Sequence, residues 1–165
     1  MKIYILYSII MATIIYLEDN GEISVITEIK NIVQLGKEGD SDARTLARYI
    51  RQGLTQLEAV GIPAEKRLEM YGYEDNGDER FFNLLKPLRG PKPLYEFRVN
   101  RSTPGAFRAI FFEYNFEGEQ YLIFTKAVLK KGDSNPPEFQ TAMRESERLY
   151  QDFFKDPSKY LEEGE

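Results

Sequence analysis

Three cations stand almost alone among aromatic and aliphatic residues in the stretch YEFRVNRSTPGAFRAIFFEYNFEGEQYLIFTK, residues 95–126: Arg98, Arg108 and Lys126. An arginine fork matches the oxygens of a phosphate, and a lysine adds a point charge. If the two hairpin loops are 101–105 and 115–119, opposed residues keep a constant sum: Arg98 faces Arg108, and Arg108 faces Lys126. The cations then form one row across three strands, on one sheet face. Like charges directly opposed cost up to about 1 kcal/mol a pair. Such a row becomes favourable when an anion, a phosphate or an RNA backbone, lies on it. The competing reading pairs each cation with an acid, Glu96 or Glu113 for instance, or lets it snorkel at a sheet edge. Register decides between them, because a four-residue loop in either hairpin would send one cation to the opposite face.

The elements that must position this row are legible in outline. From Leu94 the apolar period is 2, predicting strands at about 94–100, 106–114 and 120–129. Upstream, Ala43, Leu46, Ala47, Ile50, Leu54, Leu57 and Val60 recur at helical spacing over 42–60. Asp40 or Ser41 caps that helix, Gly61 and Pro63 end it, and Arg44, Arg48 and Arg51 read as its solvated face. The stretch EISVITEIKNIVQL after Asp19-Asn20-Gly21 reads as a hairpin with period 2 and as a helix with period 3.6. The helix is favoured, because Val25, Ile29, Ile32 and Val33 share a face. Residues 63–80 read as an acidic loop or short helix, and neither Asp-Asn-Gly continues into a calcium-loop pattern. A last helix follows Pro136-Pro137, with Asn135 as its cap. Its buried stripe is Phe139, Ala142, Met143, Ser146, Tyr150 and Phe153. The acidic tail after Pro157 reads as frayed. The order of strand, two helices, three strands and helix predicts one α+β domain with an antiparallel sheet.

Composition narrows the chemistry. The chain has no cysteine, which excludes disulfides and zinc–thiolate sites and fits a reducing compartment. It has no histidine, the commonest general base and metal ligand. The net charge of −5 counts against a general nucleic-acid binder. That charge is unevenly spread: residues 84–131 carry nine Lys/Arg against four Asp/Glu, while both flanks are acidic. The apolar run after Lys2 is about 14 residues, short of the roughly 20 that span a bilayer, and no small-x-small cleavage site follows it. A buried strand within about 12–18 is predicted. Alternatively, Met11 is the true start and residues 1–10 lie upstream of it.

Four motifs in order, Leu-Tyr-Glu-Phe-Arg at 94–98, Phe-Arg-Ala-Ile-Phe-Phe at 107–112, Phe-Thr-Lys-Ala-Val-Leu-Lys-Lys at 124–131 and Pro136-Pro137-Glu138 with Ala142 and Arg144, resemble the phage-derived HigB-type toxins. These belong to the RelE/ParE superfamily of toxin–antitoxin systems. The resemblance covers about 84–150, is generic over 12–60, and leaves 64–80 as an insertion. It implies a single toxin domain over 1–165: a RelE-like antiparallel sheet of about four strands with two N-terminal helices and a C-terminal helix. It also implies a cytoplasmic, metal-independent endoribonuclease, without cofactor, that cuts mRNA on the ribosome. A helix-turn-helix antitoxin would hold it inactive. In that chemistry the ribose 2′-oxygen attacks the adjacent phosphate, and the enzyme stabilises an anionic phosphorane. Carried over, Arg98, Arg108 and Lys126 are the catalytic cations. Lys130, Lys131 and Arg101 are phosphate contacts, and Tyr150 either stacks a base or belongs to the core. The alternative on the same scaffold is a non-nuclease interaction protein, such as a ParE-like topoisomerase inhibitor or an inactive phage-derived protein.

Overall fold

The computed structural model describes residues 11–132 and 136–161. The chain opens with strand β1, Ala12–Tyr16, followed by helices α1, Ser24–Lys37, and α2, Ser41–Val60. The 3.6 period after Asp19-Asn20-Gly21 therefore prevails over the hairpin reading, with Val25 and Ile32 buried along α1. Asp40 caps α2 by accepting the Ala43 N–H at 3.0 Å. Gly61 ends it at φ +73°, a conformation that disfavours any side chain.

The acidic loop or short helix expected over 63–80 is instead largely a hairpin, β2 Glu69–Tyr73 and β3 Glu79–Asn83. Its strands are short and its acids cluster at the Asp75-Asn76-Gly77 turn and at solvent-facing positions, which hid the period-2 pattern of buried Met70 and Gly72. Helix α2 holds the hairpin in place. Arg48, Gln52 and Gln56 donate to the backbone carbonyls of Tyr73, Tyr71 and Glu69 at 2.8, 2.9 and 2.7 Å. Four helical residues rise about 6.0 Å and two strand residues about 6.6–6.8 Å, so side chains four apart meet alternate carbonyls. Arg48, read as part of a solvated face, is one of these rungs.

Strands β4 Leu85–Pro87, β5 Tyr95–Val99, β6 Ala106–Phe116 and β7 Glu119–Lys130 follow, then helices α3 Pro137–Lys155 and α4 Pro157–Leu161. The main sheet has the order β1-β7-β6-β5-β4. β1 runs parallel to β7 and the other pairs are antiparallel. The α+β class holds, but the sheet is mixed and five-stranded, not antiparallel with about four strands. A parallel neighbour requires a long connection, and the excursion through α1, α2 and the following strands supplies it. Helices cover both faces, so the central strands are buried on both sides: Leu122 to Thr125 and Ala109 to Phe112 are consecutive buried residues. Phe97, Phe111 and Phe124 face α1 and α2; Ile110, Phe112 and Ile123 face Ala142, Leu149 and Phe153 of α3. The expected stripe on α3 is largely present, with Leu149 added and Phe139, Met143 and Tyr150 only partly buried. Tyr160 of α4 packs its ring 5.3 Å from that of Phe153, so the chain as far as Leu161 is docked where a frayed tail was expected. Asn135 and residues 1–10 lie outside the described residues. Among the described residues, no helix is long and apolar enough to cross a membrane.

The register of β5 on β6 is the expected one, with Arg98 opposite Arg108. The register of β6 on β7 is not. The loop is a two-residue turn, Glu117-Gly118, with φ +51° and +78°, and Phe116 pairs with Glu119. Both positive φ values are what a tight hairpin of matched twist requires. That turn alone would put Lys126 on the face away from Arg108. A bulge restores it: Phe111 pairs with Phe124 but Ile110 pairs with Lys126, leaving Thr125 as the extra residue. The Thr125 hydroxyl donates to the Ile110 carbonyl at 3.0 Å and lies 2.6 Å from the Ser146 hydroxyl of α3, so the bulge is bonded on its buried side. Arg108 thus opposes Val128, and Lys126 shares its face two pairs further along, opposite Ile110. The straight row of three is corrected to a pair, Arg98 and Arg108, with Lys126 displaced.

Candidate functional site

The pairing of β4, β5 and β6 places Lys86 opposite Glu96, and Arg98 opposite Arg108, all on the face toward α3. Lys130 stands on the same face two pairs beyond Val128's partner position, near the end of β7. These side chains, with Leu88 and with Phe139 from the start of α3, line a groove of about 310 Å³. Four cations and one carboxylate meet there. Glu96 is buried, only 5% exposed, and its Oε1 lies 3.0 Å from Arg108 Nε. Arg108 Nη2 also donates to Asn100 Oδ1 at 2.7 Å, which fixes the guanidinium plane. Burial pulls the Arg108 guanidinium below its usual value, Glu96 opposes that, and the like charge of Arg98 adds to it. Arg98 Nε donates to the Asn83 carbonyl at 3.2 Å. Among the described residues it has no carboxylate partner, and neither do Lys86 and Lys130. The competing reading of locally paired cations thus holds for Arg108 and fails for Arg98. Glu113 is engaged elsewhere, by Asn115 and Gln120.

The other sequence-predicted residues scatter. Lys126 turns into a separate cavity of about 530 Å³, where it meets Asp19 at 3.0 Å and Glu145 at 3.3 Å. Burial pushes Asp19 up, but bonds from Lys126 and Arg148 hold it below the usual carboxylate range. Lys131 is exposed, and its charge is felt by Glu28 of α1, in the opposite layer. Tyr150 packs edge-on against Phe112, with centroids 4.9 Å apart, and Lys92 sits over its ring. It belongs to the aromatic cluster under α3 and does not line the groove.

Arg101, expected to contact phosphate, is a structural clasp. Its side chain is 10% exposed; Nη1 bonds Glu74 at 3.0 Å and Nη2 bonds Asp42 at 2.8 Å. Thr103 and Tyr49 donate to the same two carboxylates. The loop after β5, the start of α2 and the end of β2 are thereby joined. Asp42 is held below the usual carboxylate range by the Thr103 hydroxyl and Arg101, and Glu74 by the Tyr49 hydroxyl and Arg101. A carboxylate lowered in the folded state contributes stability above its unfolded pKa, and that contribution is lost as pH falls through the folded value. Acidification from pH 7 to below the ordinary carboxylate range is therefore expected to lower the melting temperature. Arg101→Ala should flatten that fall between about pH 5 and 3, measured by circular dichroism melts in low-salt buffer.

Glu96 is the acid that the competing sequence reading offered, and it pairs with Arg108; Lys86 and Arg80 were missed altogether. Strand alternation puts Glu96 on the face of Arg98 once β5 is recognised, whereas Lys86 lies on the three-residue strand β4, which the sequence did not announce. Arg80 was hidden too, since its hairpin read as an acidic loop or short helix. Comparison of the chain with protein-family models, curated proteins and solved structures returns no match to any of them.

Proposed function

We propose that this chain is a metal-independent endoribonuclease of the HigB-type toxin class, cutting mRNA on the ribosome and inhibited by a helix-turn-helix antitoxin. The observation that carries the reading is the meeting of one buried carboxylate with Arg98, Arg108, Lys86 and Lys130 in a single groove. The element order, strand, two helices, strands and helix, supports it as well.

In this mechanism Glu96 takes the proton of the ribose 2′-hydroxyl, and the 2′-oxygen attacks the adjacent phosphorus. The P–O5′ bond breaks and leaves a 2′,3′-cyclic phosphate, while the departing 5′-oxygen takes a proton from the Lys86 or Lys130 ammonium. Arg98 and Arg108 donate to the equatorial oxygens, where negative charge builds up. Arg108 is oriented for this by Glu96 and Asn100. Lys126 has no part in these steps, since two acids already hold it.

The test is mRNA cleavage in a purified translation system, mapped by primer extension, with wild type and the Arg98→Ala/Arg108→Ala variant. Ribosome-dependent breaks are expected from the wild type, reduced at least about 10³-fold in the variant. Intact mRNA with folded wild-type protein overturns the reading. It would leave the second one, a non-nuclease interaction protein on the same scaffold, favoured by the carboxylate already placed on Arg108.

A further inference from the structure

Beside the groove lies a second cavity of about 410 Å³, and the two share Arg108 and Lys130 as a common wall. Its remaining lining includes Arg80, Asn100, Ser102 and the clasp residue Arg101, with no acid among them. Arg80 comes from β3. It pairs with Gly72, so it lies on the hairpin side where Gly72 meets the Tyr49 ring. Among the described residues Arg80 has no carboxylate within ion-pair distance. The acid that feels its charge, Glu74, is already bonded by Tyr49 and Arg101. The α2 side-chain ladder and the Arg101 clasp hold β2, and β3 pairs with β2, so the backbone that carries Arg80 is fixed beside the cavity while its exposed side chain is free to turn. Among the described residues the cavity lining offers an anion cations and amides and no competing carboxylate, so binding there has only the Arg80 side chain left to order.

We propose that Arg80, with Asn100 and the shared Lys130, forms a second phosphate subsite beside the reacting groove, so that the ligand is a single-stranded oligonucleotide gripped by two successive phosphates. This rests on the ribonuclease reading of the groove. The hairpin is then a substrate-binding arm: phosphate one lies on Arg98 and Arg108, and phosphate two lies between Lys130 and Arg80. Arg108, in the common wall, lies between the two subsites.

The experiment is fluorescence anisotropy with 5′-labelled 2′-O-methyl oligouridylates, which lack the attacking hydroxyl and stay intact. One probe is a dinucleotide with a single internucleotide phosphate; the other is a hexamer. Wild type, Arg80→Gln and Arg80→Lys are compared over a salt series. Arg80→Gln is expected to weaken hexamer binding about five- to tenfold and to lower the slope of log K against log salt by about 0.7, the loss of one phosphate contact on a single strand. Dinucleotide affinity should stay within about twofold, and Arg80→Lys should recover the slope. Unchanged hexamer binding and slope in Arg80→Gln overturns the subsite and leaves the ribonuclease reading standing. Equal losses on both probes also overturn it. Wild type that binds neither probe overturns it too, and the cleavage assay then decides separately on the ribonuclease reading.

Discussion

Glu96→Gln is expected to lower mRNA cleavage by about 10²–10⁴-fold, the usual share of a general base. The substitution keeps the shape of the side chain and still offers an oxygen to Arg108 Nε, which lies 3.0 Å from the carboxylate. What it removes is the ability to take a proton. It also removes the negative charge paired with Arg108, so oligonucleotide affinity should stay level or rise. Loss of cleavage with retained binding is the signature of a base. Loss of both, in parallel with a lower melting temperature, would mean that Glu96 serves only to neutralise Arg108. The measurement is the primer-extension assay run alongside anisotropy on the same protein preparations.

Phe124→Ala is expected to cost about 3–5 kcal/mol of stability, the range for a fully buried phenylalanine. Phe124 is 0% exposed, stacks on Phe111 with centroids 4.7 Å apart, and also meets Phe97 and Tyr16. Those rings tie β7 to β6, β5 and β1, so the space left cannot close by moving one element. For a chain of this size the loss corresponds to roughly 10–15 °C in melting temperature. Chemical denaturation followed by circular dichroism measures it directly. A loss below about 1 kcal/mol would show that the aromatic stack repacks freely. Because Phe124 faces α1 and α2 and the groove lies on the other face, variant protein that remains folded should still bind anions there.

The two substitutions probe opposite faces of the same sheet, one on β5 and one on β7, and this bears on what was legible in the sequence. The helical stripe of α2 with its Asp40 cap, the strands around Arg98 and Arg108, and the opposition of those two arginines were all readable. Each depends on a local period or on one loop length, which neighbouring residues specify. The β2–β3 hairpin was not readable. Its first strand is held by donors from Arg48, Gln52 and Gln56, which lie 25, 19 and 13 residues from their acceptors in sequence, and its acids mask the alternation. The parallel partner of β1 was equally hidden, since nothing local says which strand will lie beside it.

The groove divides in the same way. Residue types and the even spacing of Glu96 and Arg98 place an acid and a cation on one face of β5, whatever the rest of the chain does. Which cations join them is a tertiary matter. A two-residue turn shifted the β6–β7 register by one, the bulge at Thr125 shifted it by one more, and Lys126 slid away to Asp19 and Glu145 while Lys130 came alongside Arg108. The clasp around Arg101 follows the same logic: its partners Asp42 and Glu74 lie 59 and 27 residues away. Sequence alone determined that this face carries arginines that must answer to an anion or an acid. Only the folded chain decided which arginine has its acid and which does not, because a charge's partner is set by distance in space and not by distance along the chain.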